Sequence, residues 1–261
     1  MKTKEITILL ENLVPLSYQE NYDNCGLIVG DPENKVSAVL LTLDCTEAVV
    51  NEAIEKDCNL IIAHHPIIFS GLKKINGSNH IEKTVIKAIK NDIAIYAIHT
   101  NLDNLSNGVS AKIAQKLDLQ NCKVLCPKID QNINIGPGII GELETPIDSV
   151  LFLSNLKSVM QTDCIRHTNL TKKNIKKVAV CGGSGSSFLS NAKAQGADIY
   201  ISADFKYHDF FDAENDIIIA DIGHYESEQF TKELIYDLLT ENFTKFAIRL
   251  SKVNTNPINY L

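Results

Sequence analysis

The stretch that most restricts the fold is Leu60-Ile-Ile-Ala-His-His-Pro-Ile-Ile-Phe69, an apolar run interrupted by two adjacent histidines and a proline. Leu60, Ile61, Ile62 and Ala63 read as a strand buried on both faces, the pattern of a parallel sheet covered by helices. Pro66 has no amide hydrogen for a ladder, so the strand must end near the histidines. Binding sites in open α/β sheets lie at such strand ends. Neighbouring side chains on an extended backbone diverge, so His64 and His65 suit two adjacent ions, one each, better than one shared ion. The plainer reading is one catalytic or structural histidine beside a bystander.

Runs with the same kind of ending flank this one. Val36 to Asp44 is an apolar strand that stops at Asp44. Thr46 can cap the next helix, whose inward stripe is Val49, Val50, Ala53 and Ile54. Ile81, Val85, Ile86 and Ile89 form a second stripe, and the strand Ile93 to Ile98 then runs into His99-Thr-Asn-Leu-Asp103. A β-α-β-α-β order with short links predicts a parallel sheet with right-handed crossovers and its polar strand ends along one edge. An amphipathic first helix, a turn at Asp23-Asn-Cys-Gly26 and a short strand, Leu27 to Val29, precede this series; a helix over Gly108 to Leu117 follows it.

From about Asn121 to Ile175 the pattern weakens to a glycine-punctuated strand, Ile135 to Leu143, and a helix over Ile147 to Met160. A second series starts at Val178-Ala-Val-Cys-Gly-Gly-Ser-Gly-Ser-Ser187. It continues through the strand Ile199 to Ser202, a helix from Phe205 and the strand Ile217 to Ala220, and closes with a helix from Ser227 to Glu241. The expected architecture is α/β, two similar lobes with mostly parallel sheets, residues 1–120 and 121–261.

At 261 residues and 44% hydrophobic, the chain can bury a real core. A net charge of −7 with no Lys/Arg stripe argues against a nucleic-acid surface; Lys172, Lys173, Lys176 and Lys177 precede a strand and read as a solvated turn. No run approaches the roughly 20 apolar residues of a membrane span, and residues 1–11 lack an uninterrupted signal-peptide core. The seven cysteines are scattered, odd in number and without a CxxC pair, which fits free thiols in a reducing compartment. A cytoplasmic protein is expected.

Asp221-Ile-Gly-His-Tyr-Glu-Ser-Glu228 follows the last core strand, and His224 and Glu228, four apart, can project from one helix face. Such pairs are also common on solvated helices. Asp103 lies past another strand end, where an aspartate is often only a cap. Taken together, His64, His65, Asp103, His224 and Glu228 are imidazole and carboxylate groups drawn from separate strand ends. That chemistry suits Zn²⁺, Fe²⁺, Mn²⁺, Co²⁺ or Ni²⁺ better than Ca²⁺ or Mg²⁺. Five side chains exceed one tetrahedral site, whereas two divalent ions about 3.5–4 Å apart, bridged by a carboxylate and a water, use all of them. Glu228, the longer carboxylate, is the expected bridge. His208 and His99 are candidates for proton transfer or for orienting the ligands, or are structural histidines. His80 and His167 lie in loop-like, solvated contexts. Cys181-Gly-Gly-Ser-Gly-Ser-Ser187 is either a tight structural turn or an anion-binding turn at a helix N-terminus; it is neither a Walker A motif nor GxGxxG.

The set Asn24-Cys-Gly-Leu27, Leu43-Asp-Cys-Thr46, Ala63-His-His-Pro66, His99-Thr-Asn-Leu-Asp103, Cys181-Gly-Gly183, Ser202-Ala-Asp-Phe-Lys-Tyr-His208 and Gly223-His-Tyr-Glu-Ser-Glu228 resembles the GTP cyclohydrolase I type 2 homologue family, also called the NGG-interacting-factor-three-like family. The resemblance runs in order along nearly the whole chain. It implies a two-lobed α/β protein assembled as a toroidal homohexamer, with a dinuclear metal site shared by the lobes and ligated by His64, His65, Asp103, His224 and Glu228. The chain departs from the family pattern in two places. Many relatives carry a domain inserted in mid-chain, for which the region 121–175 is too short. Where the family often has two adjacent histidines, this chain has Tyr207-His208.

The function expected is a metal-dependent hydrolase acting on a nucleotide or another phosphorylated small molecule, with ring opening of a GTP-like purine as the specific version the family name suggests. The alternative is a non-catalytic metal carrier or regulatory scaffold. Structural zinc sites are usually closed by four ligands, often cysteines. Histidine and carboxylate from scattered strand ends leave room for water, which favours the enzyme.

Overall fold

The computed structural model describes residues 1–128, 134–243 and 246–261; part of the pattern-poor region 121–175 thus lies outside the described residues. In chain order the elements begin with α1 (Thr3–Leu13), β1 (Gly26–Val29), β2 (Val39–Thr42), α2 (Glu47–Glu55), β3 (Leu60–Ala63), α3 (His80–Lys90), β4 (Ala94–Ala97) and α4 (Thr100–Asp103). They continue with α5 (Val109–Lys116), β5 (Gln120–Val124), β6 (Ile139–Asp148), α6 (Ser149–Val159), β7 (Arg166–His167), β8 (Asn174–Ser184) and α7 (Leu189–Ala194). The last are β9 (Ile199–Ala203), β10 (Ile218–Asp221), α8 (His224–Glu228), α9 (Thr231–Thr240) and β11 (Ile248–Leu250).

The chain divides into two compact units, Met1–Leu102 with Thr231–Pro257, and Asp103–Phe230 with Ile258–Leu261. The division expected from the sequence lay at residues 120 and 121. The chain leaves its first unit earlier, at Leu102, and returns to it through α9 and β11.

The first unit holds a five-stranded sheet in the order β1-β4-β3-β2-β11. All neighbours are parallel except β1, which runs antiparallel to β4. Every residue of β2, β3 and β4 is buried, which is why these strands read as unbroken apolar runs. Each fully buried Leu or Ile among them stabilises the unit by about 1.5–3 kcal/mol. Thr46 caps α2, and Val49, Val50 and Ala53 face inward as expected, whereas Ile54, the fourth residue of the predicted stripe, is exposed. Asn79 caps α3, whose predicted stripe turns inward only in part: Val85 is buried, but Ile89 is exposed. Register decides where the site forms. Thr42 pairs with Ala63 and Ala63 with Ala97, so the three strands finish level. Asp44, His64, His65 and His99 therefore follow their strands within two residues of a common edge. The ladder continues far enough to hold the histidine backbone, His64 N–H donating to Thr42 O (3.1 Å) and His65 N–H to Leu43 O (3.0 Å). Glu52 on α2 fastens the returning segment, accepting from Ser251 Oγ (2.5 Å) and Lys252 N–H (2.9 Å).

The second unit has a six-stranded sheet, β5-β6-β8-β9-β10-β7. Its central β8-β9-β10 run is parallel, as the second βα series implied. The strands from the pattern-poor region, β5, β6 and β7, all pair antiparallel, so this sheet is mixed. Alternate residues of the parallel strands enter two different apolar clusters, Val178, Val180, Ile199 and Ile201 in one and Ala179, Tyr200 and Ile219 in the other. The helix expected from Phe205 is a 3₁₀ helix, Tyr207–Ala213. The closing helix is broken in two after Glu228. Phe230 there turns into the core of the second unit, with the Lys116 ammonium 3.4 Å from its ring centroid. No helix among the described residues is long and apolar enough to cross a membrane.

Candidate metal centre

The first unit gathers three imidazoles at the carboxyl edge of its sheet. Ring centroids are 4.9 Å apart for His64 and His65, and 5.3 Å for each of these with His99. One nitrogen from each ring lies within 4.8 Å of the other two, a grouping that could hold a metal ion. His64 is fully buried; His65 and His99 are partly exposed.

Each ring has its Nδ1 committed to an oxygen. His64 Nδ1 lies 2.8 Å from Ile98 O, His65 Nδ1 2.8 Å from Asp44 Oδ1, and His99 Nδ1 2.8 Å from Asp23 Oδ1. A carbonyl or a carboxylate only accepts, so the Nδ1 proton is retained and Nε2 carries the lone pair in the neutral imidazole. Metal-bound histidines are oriented in this way. Asp44 is in turn held by Thr255 Oγ1 (2.7 Å). Asp23 also accepts from the backbone of Asn24 (2.8 Å) and Thr100 (3.0 Å) and from the Thr100 hydroxyl. Burial opposes its charge, but these bonds and His99 outweigh it and hold the carboxyl well below its ordinary range. The Cys25 thiol donates to the same carboxylate at 3.2 Å. Burial pushes that thiol up to about 12, so it stays protonated and serves as a donor.

The second unit builds a complementary set. Gly223, at φ +90°, starts α8, and one turn of helix aligns His224 with Glu228. His224 Nε2 stands 3.1 Å from Glu228 Oε2, and its Nδ1 2.7 Å from Asp204 Oδ2. Burial lowers the His224 pKa, yet the bonds to Asp204 and Glu228 and their charges raise it to about 11. Without metal this ring is an imidazolium, and an ion taken up by Nε2 must displace its proton. Asp103 closes the set, with a carboxylate oxygen within 4.8 Å of one on Glu228. Two carboxylates that close favour a cation.

The glycine-rich turn is explained by this geometry. At Gly183 (φ +62°) a Cβ would lie 2.3 Å from Glu228 Oε1 and 3.3 Å from His224 Cε1. At Gly182 it would lie 2.7 Å from Val109, and at Gly185 2.3 Å from Ser202 Oγ. The Gly183 N–H donates to Ser227 Oγ (2.9 Å) and the Gly182 N–H to Ser110 Oγ (3.3 Å), so both amides already serve packing. Residues 181–184 continue β8, and α7 beyond them has only six residues. Of the two readings of the motif, the tight structural turn is the one these contacts support.

The sequence candidates thus fall into two groups, His64, His65 and His99 in one unit and Asp103, His224 and Glu228 in the other. His208 belongs to neither; it lies beside Tyr207 (5.2 Å between centroids) and stacks on Phe211 (6.2 Å). His167 is exposed, its Nδ1 2.7 Å from Thr168 O. The groups that sequence reasoning passed over are the orienting carboxylates Asp23, Asp44 and Asp204. Asp44 and Asp204 lie inside the recognised motifs and Asp23 directly precedes one, but an aspartate after a strand has too many ordinary roles to stand out.

Donors of this kind, imidazole Nε2 atoms with buried carboxylates, fit a first-row divalent metal. A protein called GTP cyclohydrolase 1 type 2 homolog from Clostridium acetobutylicum is 35% identical over 229 residues, covering 87% of this chain and 85% of the relative. A relative of the same name from Staphylococcus epidermidis is 27% identical, its 366 aligned positions spanning both chains completely, against 261 residues here. The short form expected from the sequence is thus set against a longer one. Among solved structures, the hypothetical protein SA1388 of Staphylococcus aureus superposes with a TM-score of 0.93 at 30% identity, covering 100% of this chain and 99% of that one. A structure described as reduced HcgD from Methanocaldococcus jannaschii gives 0.80 at 27%, covering 97% and 98%. The family model described as Duf34/NIF3 (NGG1p interacting factor 3) matches residues 1–257, and the chain belongs to that family.

Proposed function

We propose that the protein is a metal-dependent hydrolase whose two units contribute to one dinuclear centre, with His64 and His65 from the first and Asp103, His224 and Glu228 from the second. One observation carries the reading: the Nδ1 of every one of these imidazoles is committed to an oxygen. A merely structural histidine does not need its Nδ1 fixed on an oxygen acceptor; ligation through Nε2 does, because that contact sets the ring's orientation. A pair of bound divalent ions supplies Lewis acidity and acidifies water towards neutral pH. The chain's own part is to fix geometry. Asp44 and Asp204 orient their rings, Gly183 leaves room for the Glu228 carboxylate, and Glu228 is placed to bridge. His99, held by Asp23, stands beside His64 and His65 and can receive or return a proton at Nε2.

The substrate class is a nucleotide or other phosphorylated small molecule, because an acidic chain with a net charge of −7 attracts such anions only where cations are concentrated. A GTP-like purine is consistent with the name borne by the relatives. A homohexameric ring in the cytoplasm belongs to the same proposal. A screen of phosphate esters and nucleotides, run with the protein as purified and after chelation, tests it. Metal-dependent turnover is expected; bound metal without turnover across the screen would instead favour a metal carrier or scaffold.

A further inference from the structure

The second unit contains a cleft that the metal ligands do not use. It has a volume of about 570 Å³, within the range of small-molecule sites. Tyr207, Phe210, Phe211, Arg166 and Asn169 are among the residues that line it. Tyr207 and Phe211 are 72% and 64% exposed, and their ring centroids lie 5.5 Å apart. Large aromatic rings left in water on a concave surface offer stacking faces to a planar ligand.

Arg166 is built for recognition. Its Nη2 pairs with the buried Asp221 and donates to Phe205 O (2.9 Å), and its guanidinium lies 5.3 Å from the Phe210 ring centroid. The fork is therefore held in place through Nη2, while its Nε and Nη1 make no hydrogen bond among the described residues and the side chain, 55% exposed, lines the cleft. Asp221 also accepts from Phe205 N–H (3.1 Å) and Gly223 N–H (3.0 Å). Gly223 begins the helix of His224, and Asp204, which orients His224, directly precedes Phe205. One buried carboxylate thus ties the cleft's cation to the backbone at Phe205 and to the start of the helix that carries His224.

We propose that this cleft takes the planar ring of the substrate, a nitrogen heterocycle of purine size carrying an anionic group, stacked on Tyr207 and Phe211 and hydrogen-bonded by Arg166. The proposal rests on the reading of the chain as an enzyme of phosphorylated small molecules and names the ring-recognition site that reading needs. A docking protein would also cover exposed aromatics, but a pinned guanidinium with spare donors inside a concavity suits a ring with acceptor edges.

The test is calorimetric titration of guanosine, guanosine 5′-monophosphate and ribose 5-phosphate into the wild-type protein and into the Tyr207→Ala and Phe211→Ala variants, with metal content measured alongside. Both ring ligands should bind the wild type. Each variant should weaken them by about 5- to 150-fold, as expected for loss of one stacking platform, with metal content per chain unchanged. Ribose 5-phosphate should bind the wild type and both variants alike. Guanosine affinity unchanged in both variants would overturn the proposal, as would ribose 5-phosphate binding as tightly as guanosine 5′-monophosphate. So would the absence of ring binding to the wild type, and a variant-dependent change of mass in sedimentation would then assign the cleft to a protein contact. Ring binding without hydrolysis would count against the enzyme reading alone; hydrolysis without a ring effect would count against the cleft alone.

Discussion

Gly183→Ala separates the metal centre from the stability of the fold. A methyl group there lies 2.3 Å from Glu228 Oε1 and 3.1 Å from Cδ, so the carboxylate must retreat by about 1 Å to reach ordinary contact. The obstructing atom is the tip of a side chain, which can swing, so the fold survives; the bridging role proposed for Glu228 does not, since ligating groups must be held to within about 0.5 Å. The residue also sits at φ +62°, where an alanine costs about 1–2 kcal/mol. Gly196 supplies the control. It has φ +70° with nothing within 4 Å of the added Cβ, so Gly196→Ala incurs the backbone cost alone. Both variants should lose a few degrees of melting temperature, about 2–4 °C per kcal/mol for a chain of this size. Only Gly183→Ala should lose metal affinity, by about 10- to 100-fold, measured by competition with a chelating indicator. Equal metal affinity in the two variants would refute the reasoning.

Asp204→Asn keeps the size of the orienting group but removes its charge, and should weaken metal binding about 10- to 100-fold while leaving secondary structure intact by circular dichroism. His208→Ala should spare metal content, since its ring packs against Tyr207 and Phe211 apart from both groups of candidate ligands; loss of metal would make His208 a ligand. In the chelated protein Asp23 governs acid stability. Its folded pKa is depressed, so its contribution is fully present above the ordinary aspartate pKa of about 3.9 and is lost as the pH falls below that value towards the folded pKa. Asp23→Asn should flatten this part of the stability curve in urea titrations from pH 5 downward, and an unchanged slope would contradict the assignment.

Much of the site was legible because strand ends announce themselves. Leu60 to Ala63 is uniformly apolar and Pro66 closes the ladder, so His64 and His65 had to lie at the sheet edge. His224 and Glu228 were found through helical spacing after an apolar strand. What escaped had weak local signals. β11 is only three residues long and takes its place by pairing with β2, a long-range contact no local pattern encodes. The break after Glu228 depends on which core receives Phe230, and the antiparallel pairing of β5, β6 and β7 on partners distant in sequence. The cleft escaped as well. The sequence predicts only a helix from Phe205, and the structure exposes Tyr207 and Phe211 on a 3₁₀ turn.

Metal per chain, determined by elemental analysis on protein purified without chelator and compared between wild type and Glu228→Gln, tests the proposed dinuclear centre most directly. Two ions per chain in the wild type, falling towards one in the variant with the fold unchanged, is the predicted result. Fewer than one ion per natively folded wild-type chain would contradict the centre itself, and an unchanged count in the variant would remove Glu228 as its bridge.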